Sequence, residues 1–483
     1  MIDFRPIAQP IGRIVATLGV AMLIPMVVDW WHGSEHWQIF LQCALLTFVI
    51  GLMISVASRG KHTSVSLQQA FLLTSGLWLI LPIFGALPFM LGEPNARFVD
   101  AYFEAMSGVT TTGTTALPLL DPLPRGTNLW RAMLHWMGGL GIVVVAMIFL
   151  PVMKVGGMQF FRSEGFDTLG KILPRAGQIA SEMTRIYVIL TAACIVTYLM
   201  LGMSGYDAVV HAFATVSTGG FSSYDMSFAE FLGPIEWAAC VFMVLASIPF
   251  IRMVQVMRGN FMPIWRDTQI RAYLRWIFYV CAMILIYRAF SGIEHESVMD
   301  MVRETVFNTI STFSGTGFFS SDVMTWGHFP FAVLIIAGLI GGCTGSTACS
   351  VKVFRYLVLS QAVRAQLRRM LSPNRVYPLR YQGRPLDQDV VNSVMAFFTL
   401  FMLTFGLLIV ALSLTGLHPR TALTGAWTAI ANVGPVWGPE VSSNGSVSNF
   451  PEAAKWLMIF GMYLGRLELV AVLVLLLPRF WRS

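Results

Sequence analysis

The segments VTTTGTT at 109–115, VSTGGFS at 216–222, FSGTGFF at 313–319 and IANVGPV at 430–436 align on one glycine each: Gly113, Gly220, Gly317 and Gly434. Each lies between two long apolar runs and closes a shorter, moderately apolar stretch too brief to cross a bilayer. A span, a half-helix, a loop and a second span therefore recur four times, which implies pseudo-fourfold assembly about one axis. The register extends backwards. Thirteen residues before each glycine stand Asp100, Asp207, Glu304 and Thr421, oxygen-bearing side chains suited to cap a helix N-terminus. The three acids also complement the positive end of a helix dipole, so half-helices entering from outside turn their negative ends toward the axis. That arrangement is a cation site.

Composition supports a membrane setting. Of 483 residues, 56% are hydrophobic and 12% charged, against roughly 25% charged in an ordinary soluble domain. Apolar runs long enough to span occur near 11–29, 38–57, 68–92, 129–153, 184–203, 235–257, 276–293, 331–358, 390–416 and 455–478. No remaining stretch is long and polar enough for a separate soluble domain, which excludes soluble enzymes and nucleic-acid binders. The first run carries Arg13, lacks a small-x-small cleavage site and is followed by another apolar run, so it is expected to be retained. Arg59 and Lys61, then Lys154, Arg162, Lys171, Arg175 and Arg185, then Arg258, Arg266, Arg271 and Arg275, then the run from Lys352 to Arg384 make every second connection basic. The intervening connections hold Asp29 and Glu35, then Asp100, Glu104 and Asp121, then Asp207, Asp225, Glu230 and Glu236, then Glu294, Glu296, Asp300, Glu304 and Asp322. The positive-inside rule makes both termini cytoplasmic and accounts for the net charge of +7 as topology. Cys43, Cys194, Cys240, Cys281, Cys343 and Cys349 lack zinc-type spacing and read as small buried hydrophobes.

The backbone supplies the chemistry. A dehydrated cation needs rings of oxygens in place of its water, and carbonyls of an extended strand provide them where glycine permits unusual torsions. Non-helical backbone at membrane depth is acceptable only where it lines such a cavity. The carbonyls just before the glycines belong to Thr111 and Thr112, Thr218 and Gly219, Gly315 and Thr316, and Asn432 and Val433. Thr110, Ser217 and Ser314 offer hydroxyls at the inner mouth, and Ala431 offers none.

Two leading helices followed by four such repeats resemble the Trk/Ktr/HKT superfamily of potassium transporters, most closely its bacterial TrkH-type members. Further family-like stretches are HWMGGLGIVV at 135–144, KVGGMQ at 154–159, GGCTGST at 341–347 and YLGRLE at 463–468. The resemblance implies an all-α polytopic membrane protein of about ten transmembrane helices. Its parts are two leading helices (1–66) and pore repeats at 67–183, 184–275, 276–388 and 389–483. It further implies potassium uptake across the bacterial inner membrane by a homodimer. A cytosolic TrkA-type regulatory subunit would carry the nucleotide, ATP or NAD, so that K+ is cargo and this chain holds no cofactor of its own. Passive flow and proton- or sodium-coupled symport both stay open.

Below the loops, Gly341, Gly342 and Gly345 with Thr344, Ser346 and Thr347 should unwind the eighth span. The bland reading is a packing kink; the resemblance implies an intramembrane gating loop at 341–350 beside Lys352. The sequence departs from the family at Ala348, Cys349 and Ser350, where further glycines are usual. Arg466 in the last span is costly unless it faces protein or water. Pairing with Glu468 is one reading; the resemblance places it in the pore below the loops. Rival functions are a secondary transporter of another small solute, which usually shows two related halves, and an intramembrane serine protease using the GxSG of 202–205 with Ser204 and His211. A metal site at His32, Glu35 and His36 is weaker than an interfacial loop.

Overall fold

The computed structural model describes residues 3–60, 66–148, 176–292, 297–374 and 377–482. Lys61, the 154–159 motif, Lys154, Arg162, Lys171, Arg175, Glu294 and Glu296 lie outside the described residues. The leading unit is α1 (Arg5–Ala21), α2 (Leu23–Trp31) and α3 (Trp37–Ala57). A side chain at Gly12, Gly19 or Gly51 would strike the facing backbone of α1 or α3, so these glycines let the two helices touch main chain to main chain. Small-residue faces of this kind drive helix association where lipid removes the hydrophobic incentive.

The first repeat comprises α4 (Leu67–Gly85), α5 (Leu87–Leu91), the half-helix α6 (Phe98–Val109) and α7 (Arg125–Ile148). The second holds α8 (Ala176–Met200), the half-helix α9 (Gly205–Val216), α10 (Pro234–Ala246), α11 (Phe250–Met257) and α12 (Met262–Arg266). In the third, α13 (Thr268–Phe290), the half-helix α14 (Val298–Ser314) and α15 (His328–Ile340) precede α16 (Val353–Leu371) and a short antiparallel hairpin of β1 (Arg380–Tyr381) and β2 (Arg384–Pro385). The fourth runs through α17 (Gln388–Leu414), the half-helix α18 (Pro419–Ala431), α19 (Glu452–Arg466) and α20 (Val470–Leu473).

The repeats close into a ring. Each second span packs against the half-helix of the next repeat: α7 on α9, α10 on α14, α15 on α18, and α19 back on α6. Polar contacts fix three of these seams. Glu236 pairs with Arg303 at 2.6 Å, Trp427 Nε1 donates to Ile335 O at 3.0 Å, and Lys455 pairs with Asp100 at 2.6 Å. One large apolar core fills the space among the leading helices and repeats one and four, and another that between repeats two and three.

Six helical stretches among the described residues are continuous and apolar enough to cross a membrane, and two bent pairs raise that number to eight. Hydropathy takes the sixth and tenth runs as unbroken, whereas the unwinding expected of the glycines in the eighth is present. The sixth bends by 98° between α10 and α11, where Pro249 ends the hydrogen-bond ladder. The tenth bends by 105° after α19, with Glu468 and Leu469 at φ +60° and +36°. The eighth stops at Ile340, and residues 341–352 run without helix before α16. Apolar composition continues on both sides of the sixth and tenth breaks, so hydropathy alone does not register those two. The fifth span also starts earlier than its apolar run, at Ala176.

The oxygen-bearing residues thirteen before the glycines are not the caps expected of them. Asp100, Asp207 and Thr421 sit in the first turns of α6, α9 and α18, three residues after the N-cap positions Arg97, Ser204 and His418. In the third repeat the half-helix begins earlier, so Ser297 is the N-cap, Asp300 takes the first-turn place and Glu304 lies a turn further on, paired with Arg288 at 2.9 Å. The Ser297 hydroxyl donates to Asp300 at 2.6 Å and holds that carboxyl below its ordinary value, with Arg303 adding to the effect. In the fourth, desolvation raises the Glu440 carboxyl, but the Thr421 hydroxyl and the His418 amide outweigh it and hold the group low.

Candidate ion pathway

The four glycine loops share one backbone geometry. Two residues before each glycine the chain turns left-handed, at Thr111 (φ +51°), Thr218 (+52°), Gly315 (+75°) and Asn432 (+51°). The glycines follow at +90°, +81°, +77° and +111°, torsions that L side chains avoid. They also abut one another in cyclic order. A Cβ on Gly113 would collide with the carbonyl oxygen of Gly219, one on Gly220 with that of Thr316, one on Gly317 with that of Val433, and one on Gly434 with that of Thr112. The residue just before each glycine thus contributes a carbonyl to a closed ring, and the C-terminal ends of α6, α9, α14 and α18 point their partial negative charge at it. On one side of the ring lies a cavity of about 640 Å³ lined by all four glycines, with Asp225 and Asp322 also on its wall.

A second register, nine residues before each glycine, ties the outgoing strands to the half-helices. Glu104 accepts from Ala116 N at 2.8 Å, His211 Nε2 meets Ser222 Oγ at 2.9 Å, and Asn308 bonds Ser320 through both amide atoms. Gly425 holds that place in the fourth repeat and cannot bond, so Thr424 beside it takes Trp437 N and O instead, at 3.1 and 2.8 Å. Arg131 completes the first tie, donating to Glu104 at 2.7 Å and to Ser222 O at 2.7 Å, and so links the first outgoing strand to the second. The sequence reading missed this register because three different residue types fill it, although their common offset was available. The hydroxyls of Thr110, Ser217 and Ser314 bond carbonyls of their own half-helices, at 2.7, 3.2 and 3.0 Å.

Under the ring the 341–352 segment crosses the bundle. Cys343 N donates to Ser247 O at 3.0 Å, Thr344 N to Gln269 Oε1 at 3.0 Å, and Phe250 N to Gly345 O at 2.9 Å. Left-handed torsions at Gly341, Gly345, Ser350 and Lys352 allow the path, and Gly342 packs against Ala348. Cys349 touches the loops: its Sγ lies 3.7 Å from Thr111 Oγ1, and its amide faces Gly315. Arg466 reaches the same place. Its Nη1 donates to Cys349 Sγ and, at 3.4 Å, to Thr347 O, while Nε and Nη2 have no protein partner among the described residues. Glu468 pairs elsewhere, with Lys352 at 3.0 Å and with Arg355, whose guanidinium also stacks on Phe397. The Arg466–Glu468 pairing is therefore set aside: the bend after α19 turns the two side chains to different partners.

Residues 36–483 match the family model TrkH, described as a cation transport protein. The chain belongs to the TrkH family. It is 36% identical to the Trk system potassium uptake protein TrkI of Halomonas elongata, over 99% of this chain and 97% of the relative. It is 33% identical to the Trk system potassium uptake protein TrkH of Escherichia coli (strain K12), over 99% of this chain and 100% of the relative. The crystal structure of the potassium transporter TrkH from Vibrio parahaemolyticus has the same fold, with a TM-score of 0.92 at 30% identity, covering 99% of this chain and 100% of that one.

The residues of the rival sites make structural contacts. Ser204 is the N-cap of α9, accepting from Asp207 N at 3.1 Å, and His211 is held by Asp207 O and Ser222. The GxSG match in this TrkH-family chain is thus a helix start, with the histidine two turns on. His36 bonds Asp29 at 2.9 Å and accepts from Glu93 N, and His32 meets Arg125. Among the described residues no group of three His, Cys, Asp or Glu side chains could hold a metal ion.

Proposed function

We propose that this multi-pass membrane protein takes up potassium ions across the bacterial inner membrane, with both termini cytoplasmic and the four glycine loops acting as its selectivity filter. The observation that carries the reading is the closed ring: four loops that turn left-handed at the same two places, each glycine seated on a neighbour's carbonyl. Rings of backbone carbonyls replace the hydration shell of K+. Thr111, Thr112, Thr218, Gly219, Gly315, Thr316, Asn432 and Val433 supply those oxygens, and Gly113, Gly220, Gly317 and Gly434 let them aim inward. The names of the relatives, potassium uptake proteins, support the choice of ion.

The 341–352 segment is the gate. Its Cys349 occupies the space beneath the ring, and the guanidinium of Arg466 adds a fixed positive charge that repels the cation there. Gly341, Gly342 and Gly345 give the segment its non-helical path, and Lys352 anchors its far end to Glu468. The protein works as a homodimer under a cytosolic TrkA-type nucleotide-binding subunit; the relatives' names, each a Trk system protein, support its working within such a system. It is a transporter and performs no covalent chemistry, and its pore units are the four repeats, the second opening with α8 at Ala176 rather than at 184 and the third with α13 at Thr268 rather than at 276.

The test is flux. Purified protein in liposomes should pass K+ in clear preference to Na+, and an imposed proton gradient then separates passive flow from symport. Equal fluxes of the two ions would remove the filter reading.

A further inference from the structure

A second cavity, of about 1130 Å³, lies where α11, α12, the first turns of α13, α16 and the β-hairpin meet. Five arginines line it: Arg252, Arg266, Arg271, Arg275 and Arg380. Among the described residues Asp267 is the only carboxylate in the wall, and it is consumed. Its Oδ2 takes Arg252 Nε at 2.8 Å and its Oδ1 caps α13 through Gln269 N at 2.8 Å. Among the described residues no carboxylate pairs with Arg266, Arg271, Arg275 or Arg380; Arg271 and Arg275 reach only backbone carbonyls, at 3.5 and 3.2 Å. Positive charge gathered in a concave site without counter-charge is a standing demand for a polyvalent anion.

The rim says which anion. Trp265, 74% exposed, stands at the mouth with Leu274, and Phe261 and Phe278 continue the same exposed apolar surface along α12 and α13. On a span this is the lipid-facing side, and tryptophan at its edge marks the headgroup level. A ligand that fits has a phosphate for the guanidinium forks, which bind phosphate bidentately, and hydrocarbon for the surface beside them. We infer that this pocket binds the headgroup phosphate of an anionic phospholipid. Basic pockets between membrane helices recognise such headgroups.

The site is joined to the ion pathway. Gln269, in the first turn of α13, holds Thr344 N, and Phe250, two residues from Arg252, holds Gly345 O. A headgroup clamped between α11 and α13 therefore braces two of the elements that hold the 341–352 segment. The lipid site stands whichever ion the ring passes.

The experiment reads lipid retention, not transport. Protein is drawn from vesicles of phosphatidylcholine and phosphatidylglycerol, and retained lipid is counted by native mass spectrometry. The wild type should hold phosphatidylglycerol at least about fivefold above its share of the bilayer, the scale of one to two arginine–lipid contacts. The R271Q/R275Q/R380Q variant should fall to the bulk ratio, and the corresponding triple lysine variant should keep most of the enrichment. A photo-activatable phosphatidylglycerol on the wild type should label 261–275, a readout that needs no variant to fold. Bulk-ratio retention by the wild type, unchanged retention by the glutamine variant, or labelling confined to other segments overturns the proposal. So does displacement of the lipid by millimolar inorganic phosphate, which would make free phosphate the ligand.

Discussion

Arg466, the last residue of α19, donates through Nη1 to the sulfur of Cys349, which in turn meets Thr111 of the first glycine loop. In the proposed gate, charge and segment therefore act as one unit, and a change at either should be felt by the other.

Removal of the charge should raise flux. At about 5 Å and an effective dielectric near 20, a guanidinium repels a monovalent cation by roughly 3 kcal/mol, more than tenfold in occupancy before screening. Arg466→Ala should accordingly increase K+ flux per folded molecule severalfold, measured in liposomes. A fall or no change would remove the barrier role.

Glu468→Gln should act on stability first. The carboxylate is buried and answers two cations, Lys352 and Arg355, which the variant leaves without it. Breaking a buried pair from one side costs on the order of 3–5 kcal/mol, so the thermal unfolding midpoint should drop well below that of the wild type. An unchanged midpoint would show that the two cations find other partners at no cost.

Glu104→Gln tests the tie between half-helix and outgoing strand. The variant keeps an acceptor for Ala116 N but loses the ion pair with Arg131, which also holds Ser222 O of the second loop. Stability should fall by a few kcal/mol, and Na+ should compete better for uptake. Wild-type selectivity in a destabilised variant would confine the tie to folding.

The fourfold repeat was legible because one physical demand recurs: at Gly113, Gly220, Gly317 and Gly434 a left-handed backbone meets a neighbour's carbonyl, and glycine is the residue that fits. The ties at Glu104, His211 and Asn308 were not, since hydrogen bonding to a strand can be met by several side chains. Nor were the bends, because leucine and valine continue on both sides of the break at Glu468–Leu469. The joint between Lys352 and Glu468 connects residues from different repeats and follows no period. The acids before the glycines were found in register but assigned the wrong place: the caps stand one turn earlier.

Ser204→Ala distinguishes a helix cap from a nucleophile. Loss of the cap on α9 should cost about 1 kcal/mol and leave K+ uptake intact. Collapse of uptake in a normally folded variant would reopen a chemical role for the GxSG segment.

The central claim is the carbonyl ring, and it is tested most directly by K+ uptake in the presence of competing Na+, measured for the wild type, Gly113→Ser and Gly317→Ser in liposomes. A side chain at either position meets the carbonyl of Gly219 or Val433 and opposes the torsion that aims the oxygens inward. The account predicts that Na+ competes in both variants and not in the wild type. Potassium preference retained in both variants would contradict it.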